Sequence, residues 1–420
     1  MSIQSPCTAA RRARRMLAPQ LAAVHSADRK GECEMKRWTR TAAVGLAVTA
    51  MTLPLAACNQ SVSTEGDGEL MPLQIGVVAP LTGPTASIGQ AQACGALVAR
   101  DALNALATNP GEEVELFIED SKADPAEAAR VAGELTSEGI VFFQGGPTTS
   151  EVAAQLPIFA DAGAITTAGT SQALSILTSG ARVARLQPDT SVAGAFAAQF
   201  LLDEFDVSKV AMLTQDIEYS QEMAKGATDA LGTDVEVSVQ SVPFDEVTFA
   251  SQIDALLATD PDAFFLPIAG FDKQLAFIRE YTRTGTDVPL ALGLSILNAP
   301  LVDAGGADLE GVYGFDSWNM SVQNDASTQM REDFEAYAPD HAECVDTNVS
   351  IQGLIEYSSV KLYHAAAAMA GTRDAGEVYQ AILENDWDMP QGVISFSASG
   401  QAVAPQIAVQ VVGGEIVSVE

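Results

Sequence analysis

From residue 73 onward, short runs of almost unbroken apolar residues alternate with stretches whose apolar positions recur every three or four residues. "LQIGVVA" at Leu73–Ala79 reads as a buried strand. A loop of Gly, Pro, Thr and Ser follows, then a helix from about Gln90 with Ala96, Ala99, Leu103 and Leu106 on one face. Residues 114–118 form the next apolar run. "DPAEAARVAGELTSEG" then places Ala128, Val131 and Leu135 at helical spacing, and residues 140–143 begin another strand. The alternation continues through "AITTA", "VAMLT", "AFFLPI" and "LALGL". Strands apolar on both faces and joined by amphipathic helices predict α/β architecture, with parallel sheets covered on both sides. One sheet holding all these strands would be unusually wide, so the pattern predicts two doubly wound lobes.

Capping chemistry agrees with the pattern. Asp124-Pro125 supplies an N-cap with proline at the first helical position, and Gly139 closes the same helix. The segment "VSIQGLIEYSSVKLYHAAAAMAG" is long and apolar, but Gln352, Glu356 and Lys361 make it a buried soluble helix rather than a membrane span. In the first strand-to-helix loop the glycines are Gly76, Gly83 and Gly89. That spacing does not make the G-x-G-x-x-G turn a pyrophosphate needs, and no Gly-Lys-Ser/Thr follows. The loop still lies where open α/β sheets bind ligands, which suits a small molecule in a cleft.

The first 57 residues differ in composition. They hold nine Lys or Arg against three acids, whereas the remainder holds thirteen against fifty-two. Within them, "MKRWTRTAAVGLAVTAMTLPLAAC" has a positive start at Met35, a largely apolar run at 42–57 and small residues before Cys58, the order of a secretory signal. Its "LAAC" ending resembles a bacterial lipobox, which implies lipidation of Cys58. Translation is then expected to begin at Met35, and residues 58–71 form a polar tether. The acidic remainder excludes nucleic acid as a partner, because no basic stripe offsets the repulsion. Cys94 and Cys344 remain after export. An oxidising compartment permits a disulfide between them, while their separation gives no spacing pattern, so a buried Cys94 and a loop thiol at Cys344 stand beside that reading.

"IGVVAPLTGPTASIGQAQACGALVARDALN" and "EDSKADPAEAARVAGELTSEGIVFFQGGPTTSEVAAQLPIFADAGAITTAGTS" resemble the first lobe of the type I periplasmic binding proteins that serve branched-chain amino acid ABC transporters. The likeness continues through "DIEYSQEMAKGA", "VSIQGLIEYSSVKLYHA" and "PQGVISFSASGQ". It implies two doubly wound parallel-sheet lobes joined by a three-segment hinge near 186–188, 315–318 and 390–393. After a 1–57 leader and a 58–71 tether, lobe one would be 72–186 plus 317–390, and lobe two 187–316 plus 391–420. It further implies a small amino acid or related carboxylate held between the lobes, delivery to an ABC permease, a lipid anchor facing the periplasm or cell surface, and no cofactor.

The same resemblance assigns ligand contacts. The ligand carboxylate would meet Thr149 and Ser150 in "GGPTTS", and Ala168 and Thr170 in "TTAGTS". Both loops follow a strand and lead into a helix, so amides and hydroxyls would converge on an anion. Tyr219 in "DIEYS" would close from lobe two, Phe271 in "AGFDK" would add a second aromatic, and Ile88 would wall an apolar tail. The family pairs the α-ammonium with an acidic residue, and here Leu294 falls at that position. A buried ammonium facing leucine lacks a countercharge. Asp316, Asp216 or Glu218 would substitute, or else the ligand is an acid or amide without an ammonium.

No catalytic constellation appears. His364 lies in the apolar stretch "KLYHAAAAMAG", His341 and Cys344 in "HAEC" make two ligands rather than a metal site, and Ser358 with Lys361 in "SSVK" lacks companion motifs. A ligand-sensing or envelope-assembly protein on the same fold is the alternative to transport, because fold does not fix function.

Overall fold

The structure, a computed structural model, describes residues 71–83, 85–168, 170–171, 174–294, 297–319, 322–338, 341, 344 and 350–419. The readings for the leader, for Cys58 and for most of the tether fall outside these residues. The first sheet is built from β1 (Leu73–Ala79), β2 (Val114–Asp120), β3 (Phe142–Gln144), β4 (Ile165–Thr167) and β5 (Arg182–Ala184). Its helices are α1 (Ala86–Asn104), α2 (Pro125–Ser137) and α3 (Thr149–Ala162). The strands run parallel in the order β2-β1-β3-β4-β5.

The chain then repeats the plan. After α4 (Thr190–Phe205) come β6 (Lys209–Gln215), α5 (Glu218–Leu231), β7 (Glu236–Val242), α6 (Ala250–Leu257) and β8 (Ala263–Leu266). They are followed by α7 (Phe271–Arg283), β9 (Leu290–Leu294), α8 (Ala299–Gly305) and β10 (Tyr313–Asp316). The parallel part of this second sheet is ordered β7-β6-β8-β9-β10, the arrangement of the first sheet over again. Each central strand reads as a nearly continuous apolar run because helices cover both of its faces, which is why the alternation was visible along the chain.

The remaining residues complete both halves. α9 (Asp325–Tyr337), α10 (Ile351–Ala370) and α11 (Ala375–Glu384) return to the first sheet, and α10 puts Leu354, Ile355, Val360 and Tyr363 into one core with Leu73, Ile75 and Val77. That burial accounts for the long apolar segment, and among the described residues no helix is long and apolar enough to cross a membrane. β11 (Trp387–Met389), β12 (Gly392–Phe396) and β13 (Ala402–Val403) form a small antiparallel sheet. β14 (Ile407–Val412) and β15 (Glu415–Val419) then add to β10 as an antiparallel hairpin, so the second sheet is mixed rather than purely parallel. The two-residue turn of that hairpin is Gly413-Gly414, both at positive φ (63° and 80°), the geometry that matches the twist of paired strands.

One expectation changes. The third crossing was expected at 390–393, with 391–420 in lobe two. Instead Trp387, Met389, Ile394, Phe396 and Ala402 all pack into the core of the first sheet, so the chain crosses only between Ala404 and Ile407. A hairpin stays with the core that buries its apolar face, and the short β11–β13 sheet has its buried face there. The question left open for the cysteines is also resolved. Cys94 and Cys344 are joined, with 5.6 Å between their Cα atoms. A bridged sulfur is not a thiolate, so "HAEC" supplies no Cys ligand, and the His341 ring stacks on Tyr337 at 3.8 Å.

The first helices of lobe two touch backbone to backbone. A Cβ on Gly194 would come within 2.0 Å of the Met223 carbonyl, and one on Gly226 within 1.9 Å of the Ser191 carbonyl. This close crossing of α4 and α5 sets where the first turn of α5 emerges. Gly226→Ala is expected to cost about 1–3 kcal/mol by forcing the helices apart, read as a lower melting temperature. An unchanged melting curve would show that the crossing is not tight.

Candidate functional site

In each sheet the second strand in sequence lies on one side of the first and the third strand on the other, so the loops leaving the first and third strands diverge and open a crevice at the carboxyl edge. In the first half these are the β1–α1 loop, leading to Ile88, and the β3–α3 loop, leading to Thr149 and Ser150. In the second they are the β6–α5 loop, leading to Tyr219, and the β8–α7 loop, leading to Phe271. β5 and β10 both leave their sheets at the same carboxyl edges to cross between the halves. The two crevices therefore lie at the joined ends of the lobes.

The lobe-one wall is built on the start of α3. Thr148 is its N-cap; its hydroxyl accepts from the Glu151 amide at 3.3 Å and donates to the Glu151 carboxylate at 2.7 Å. Glu151, itself buried, also accepts from the Ser121 hydroxyl at 2.6 Å. With Thr148 committed to the cap, Thr149 and Ser150 are the exposed first residues of the helix, and helix geometry leaves their amides without intrahelical acceptors. The neighbouring loop is bonded to this one. Thr149 and Ser171 hydroxyls lie 3.0 Å apart, the Thr170 hydroxyl donates to the Pro147 carbonyl at 3.4 Å, and the Gly145 amide donates to the Thr167 carbonyl at 2.9 Å.

Ala168 is fully buried, so its side chain offers nothing to a ligand and only its backbone could contribute. The second loop leads into a short 3-10 turn, Leu174–Thr178, and not into an α-helix. The expected pair of helix ends is thus one helix end, that of α3, with the second loop bracing it. Ile88 falls in the first turn of α1, half-buried, because that helix begins four residues before the expected Gln90.

On lobe two, Tyr219 in the first turn of α5 reaches past the end of β8 and donates its hydroxyl to the Leu294 carbonyl at 3.0 Å. The ring keeps part of its surface open, while burial and the nearby Asp316 carboxylate push the hydroxyl pKa far up, so it stays a donor. Leu294 itself is 2 % exposed and packs with Ala193, Met212 and Phe315 in the lobe-two core. Its contribution at this edge is therefore a carbonyl and not a side chain. Asp316 ends β10, the strand beside β9, and accepts from the Ser317 and Trp318 amides at 2.7 and 3.4 Å.

A Periplasmic binding protein family model matches residues 72–415. The chain belongs to that family. The leucine-, isoleucine-, valine-, threonine- and alanine-binding protein of Pseudomonas aeruginosa is 22 % identical over 334 residues, 78 % of this chain and 86 % of that protein. The Leu/Ile/Val-binding protein of Escherichia coli is 22 % identical over 272 residues, 64 % of this chain and 72 % of that protein. Among solved structures, the branched-chain amino acid transporter substrate-binding protein of Streptococcus pneumoniae in complex with isoleucine superposes with a TM-score of 0.68. That match is 20 % identical and covers 82 % of this chain and 97 % of the other. A solute-binding protein of R. palustris in complex with benzoate gives 0.67 at 19 % identity, covering 83 % and 95 %.

This periplasmic binding protein has further residues at the lobe-two edge that the sequence did not single out. Phe271 is 42 % exposed at the start of α7, and Phe244, after β7, is 45 % exposed with the Lys273 ammonium 3.6 Å over its ring. Gln215 braces both loops: its amide donates to the Ala269 carbonyl at 3.2 Å and accepts from the Ala269 amide at 2.7 Å, and it reaches the Phe244 carbonyl at 3.5 Å. Asp216 accepts from the Phe244 amide at 2.6 Å, which commits one of its oxygens to the loop. "VPFDE" reads as an ordinary turn after a strand, so only the tertiary bracing reveals Phe244.

Two surface hollows, one at Lys122, Asp124 and Arg130 and one at Tyr281, Asp308 and Tyr313, contain none of the candidate residues. The residues weighed for catalysis are occupied elsewhere. Ser358 donates to Gln391 at 3.5 Å, Lys361 lies 3.8 Å from Asp333, and His364 bonds the Glu112 carbonyl at 3.0 Å.

Proposed function

We propose that this periplasmic binding protein is a lipid-anchored extracytoplasmic solute receptor of an ABC importer, tethered through Cys58, that closes on a small amino acid or related carboxylate between its lobes. The observation that carries this reading is the contrast between the two carboxyl edges. Lobe one offers hydroxyls and the start of a helix, suited to an anion. Lobe two offers the Leu294 carbonyl, the Tyr219 oxygen and the Asp316 carboxylate, suited to a cation. A zwitterion held between them would take one orientation, carboxylate to lobe one and ammonium to lobe two. With leucine at the family's acidic position, the countercharge for an α-ammonium would come from the adjacent strand, at Asp316. Relatives named for leucine, isoleucine and valine, and neighbours holding isoleucine or benzoate, bracket the ligand chemistry.

A thermal-shift screen of the chain from Asn59 onward, which contains the whole described unit, tests the proposal against amino acids, their amides, 2-hydroxy acids and benzoates. An aliphatic amino acid is expected to raise the melting temperature. Asp316→Asn is expected to weaken that amino acid by about 2–4 kcal/mol while sparing the analogue without an amino group. Stabilisation by benzoates alone, unaffected by Asp316→Asn, would replace the amino acid with an aromatic acid as cargo. No stabilisation by any member of the panel, or turnover of a bound compound, would overturn the receptor reading.

A further inference from the structure

Arg185 is the largest side chain fully enclosed in the described residues, and it lies at the first crossing between the lobes. Its backbone belongs to lobe one. The Arg185 amide donates to the Gly400 carbonyl at 2.8 Å, and the Ala402 amide donates to the Arg185 carbonyl at 2.9 Å, which makes a parallel bridge with Gln401. The guanidinium Nε donates to Gln401 Oε1 at 2.5 Å, and the Gln401 amide donates onward to the Gln187 carbonyl at 2.7 Å. The first crossing is thereby fastened to the segment that leads into the third.

The charge partners come from the other lobe. Asp189, the N-cap of α4, has its Oδ2 3.8 Å from Arg185 Nη2, while its Oδ1 accepts from the Ser191 amide at 2.8 Å. Glu222, on α5, accepts from the Thr190 hydroxyl at 3.0 Å, which ties α5 to the same start of α4, and the Glu222 and Glu218 charges act on the guanidinium through space. An arginine withdrawn from water feels such charges strongly, and they are distributed on the two helices whose crossing sets the position of Tyr219.

We infer that Arg185 is a positioning residue: it fixes the angle between the lobes by holding Asp189 at the start of α4, to which the α5 helix that carries Tyr219 is bonded through Thr190 and Glu222, against the paired crossing segments. The inference rests on the clamp reading above, but its test requires no ligand. Spin labels at Ser87→Cys and Asp272→Cys, on the starts of α1 and α7, report the inter-lobe distance in the chain from Asn59 onward. Arg185→Gln is expected to broaden the ligand-free distribution or move its mean by roughly 2 Å or more. Arg185→Lys keeps the charge without the fork and is expected to restore the mean in part. Gln401→Met leaves the arginine in place, removes its tie to the third crossing, and is expected to shift the distribution in the same direction.

A lower melting temperature with an unmoved distribution in Arg185→Gln would reduce Arg185 to a stabilising residue and overturn the inference. If Arg185→Gln does not fold, an unmoved distribution in Gln401→Met overturns it equally. Failure of the ligand screen would strike the receptor reading instead, without touching these distances.

Discussion

Reducing the Cys94–Cys344 bridge is expected to lower the unfolding free energy by up to about 5 kcal/mol, because it releases a loop of 250 residues in the unfolded chain. The bridge ties α1 of the first sheet to a segment that comes back only after the whole of lobe two, so it removes a large set of open conformations from the unfolded ensemble. For a chain of this size that free energy corresponds to a fall in melting temperature on the order of 5–10 °C. The measurement compares urea or thermal unfolding with and without reductant, alongside Cys94→Ala with Cys344→Ala. Both sulfurs are buried, so alanine leaves a small void and no unsatisfied polar group. Identical transitions under oxidising and reducing conditions would remove the bridge from the stability account. A bridge closing so long a loop also suits folding outside the reducing cytoplasm.

The second large effect is expected from pH and Glu356. This carboxyl is completely enclosed between α10, α1 and β3, and burial pushes its pKa up to about 8, with the Gln92 hydrogen bond opposing the rise. Gln92 donates to its Oε1 at 2.8 Å, and Gln144 donates to its backbone carbonyl at 2.8 Å. Among the described residues, Glu356 Oε2 and the side-chain oxygens of Gln92 and Gln144 have no hydrogen-bond partner, which is the pattern expected if Oε2 carries a proton to share with an amide oxygen. The folded pKa lies above the ordinary value of 4.5, so the neutral acid is favoured in the folded state. Its contribution is full below about pH 4.5 and is lost as pH rises through about 8, a change of roughly 5 kcal/mol across the window. Glu356→Gln keeps the shape, the acceptor and a donor without the charge. It is expected to match the parent near pH 4.5 and to exceed its stability by roughly 3 kcal/mol at pH 7. The difference between the two proteins isolates this group from the many surface carboxylates, which titrate in both. A parent-minus-variant difference that stays flat from pH 4.5 to 9 would show Glu356 ionising normally.

The lobes were legible in the sequence because sheets covered on both faces leave nearly unbroken apolar runs. Leu73–Ala79 and Leu290–Leu294 were read to the residue. The Asp124 cap was legible because an N-cap is a local bond, here to the Ala126 and Glu127 amides at 2.8 and 2.9 Å. The third crossing was not, since the apolar positions of Trp387, Met389, Ile394 and Phe396 mark a strand without saying which core receives it. The same limit applies at the site. The position of Leu294 could be aligned, yet only the β9–β10 register shows that its side chain enters the core while Asp316 takes the neighbouring edge. Gln215 and Phe244 were missed because their significance is a contact between loops that lie 29 residues apart.

Neither lobe is a continuous stretch of chain. The first sheet takes α10, one of its covering helices, from beyond the whole of lobe two, and β10 pairs with β14 across some ninety residues. Such distant pairings raise the entropic barrier to folding. Refolding from denaturant is therefore expected to be slow beside that of a domain built from local contacts, because each core closes only when segments far apart in the chain meet.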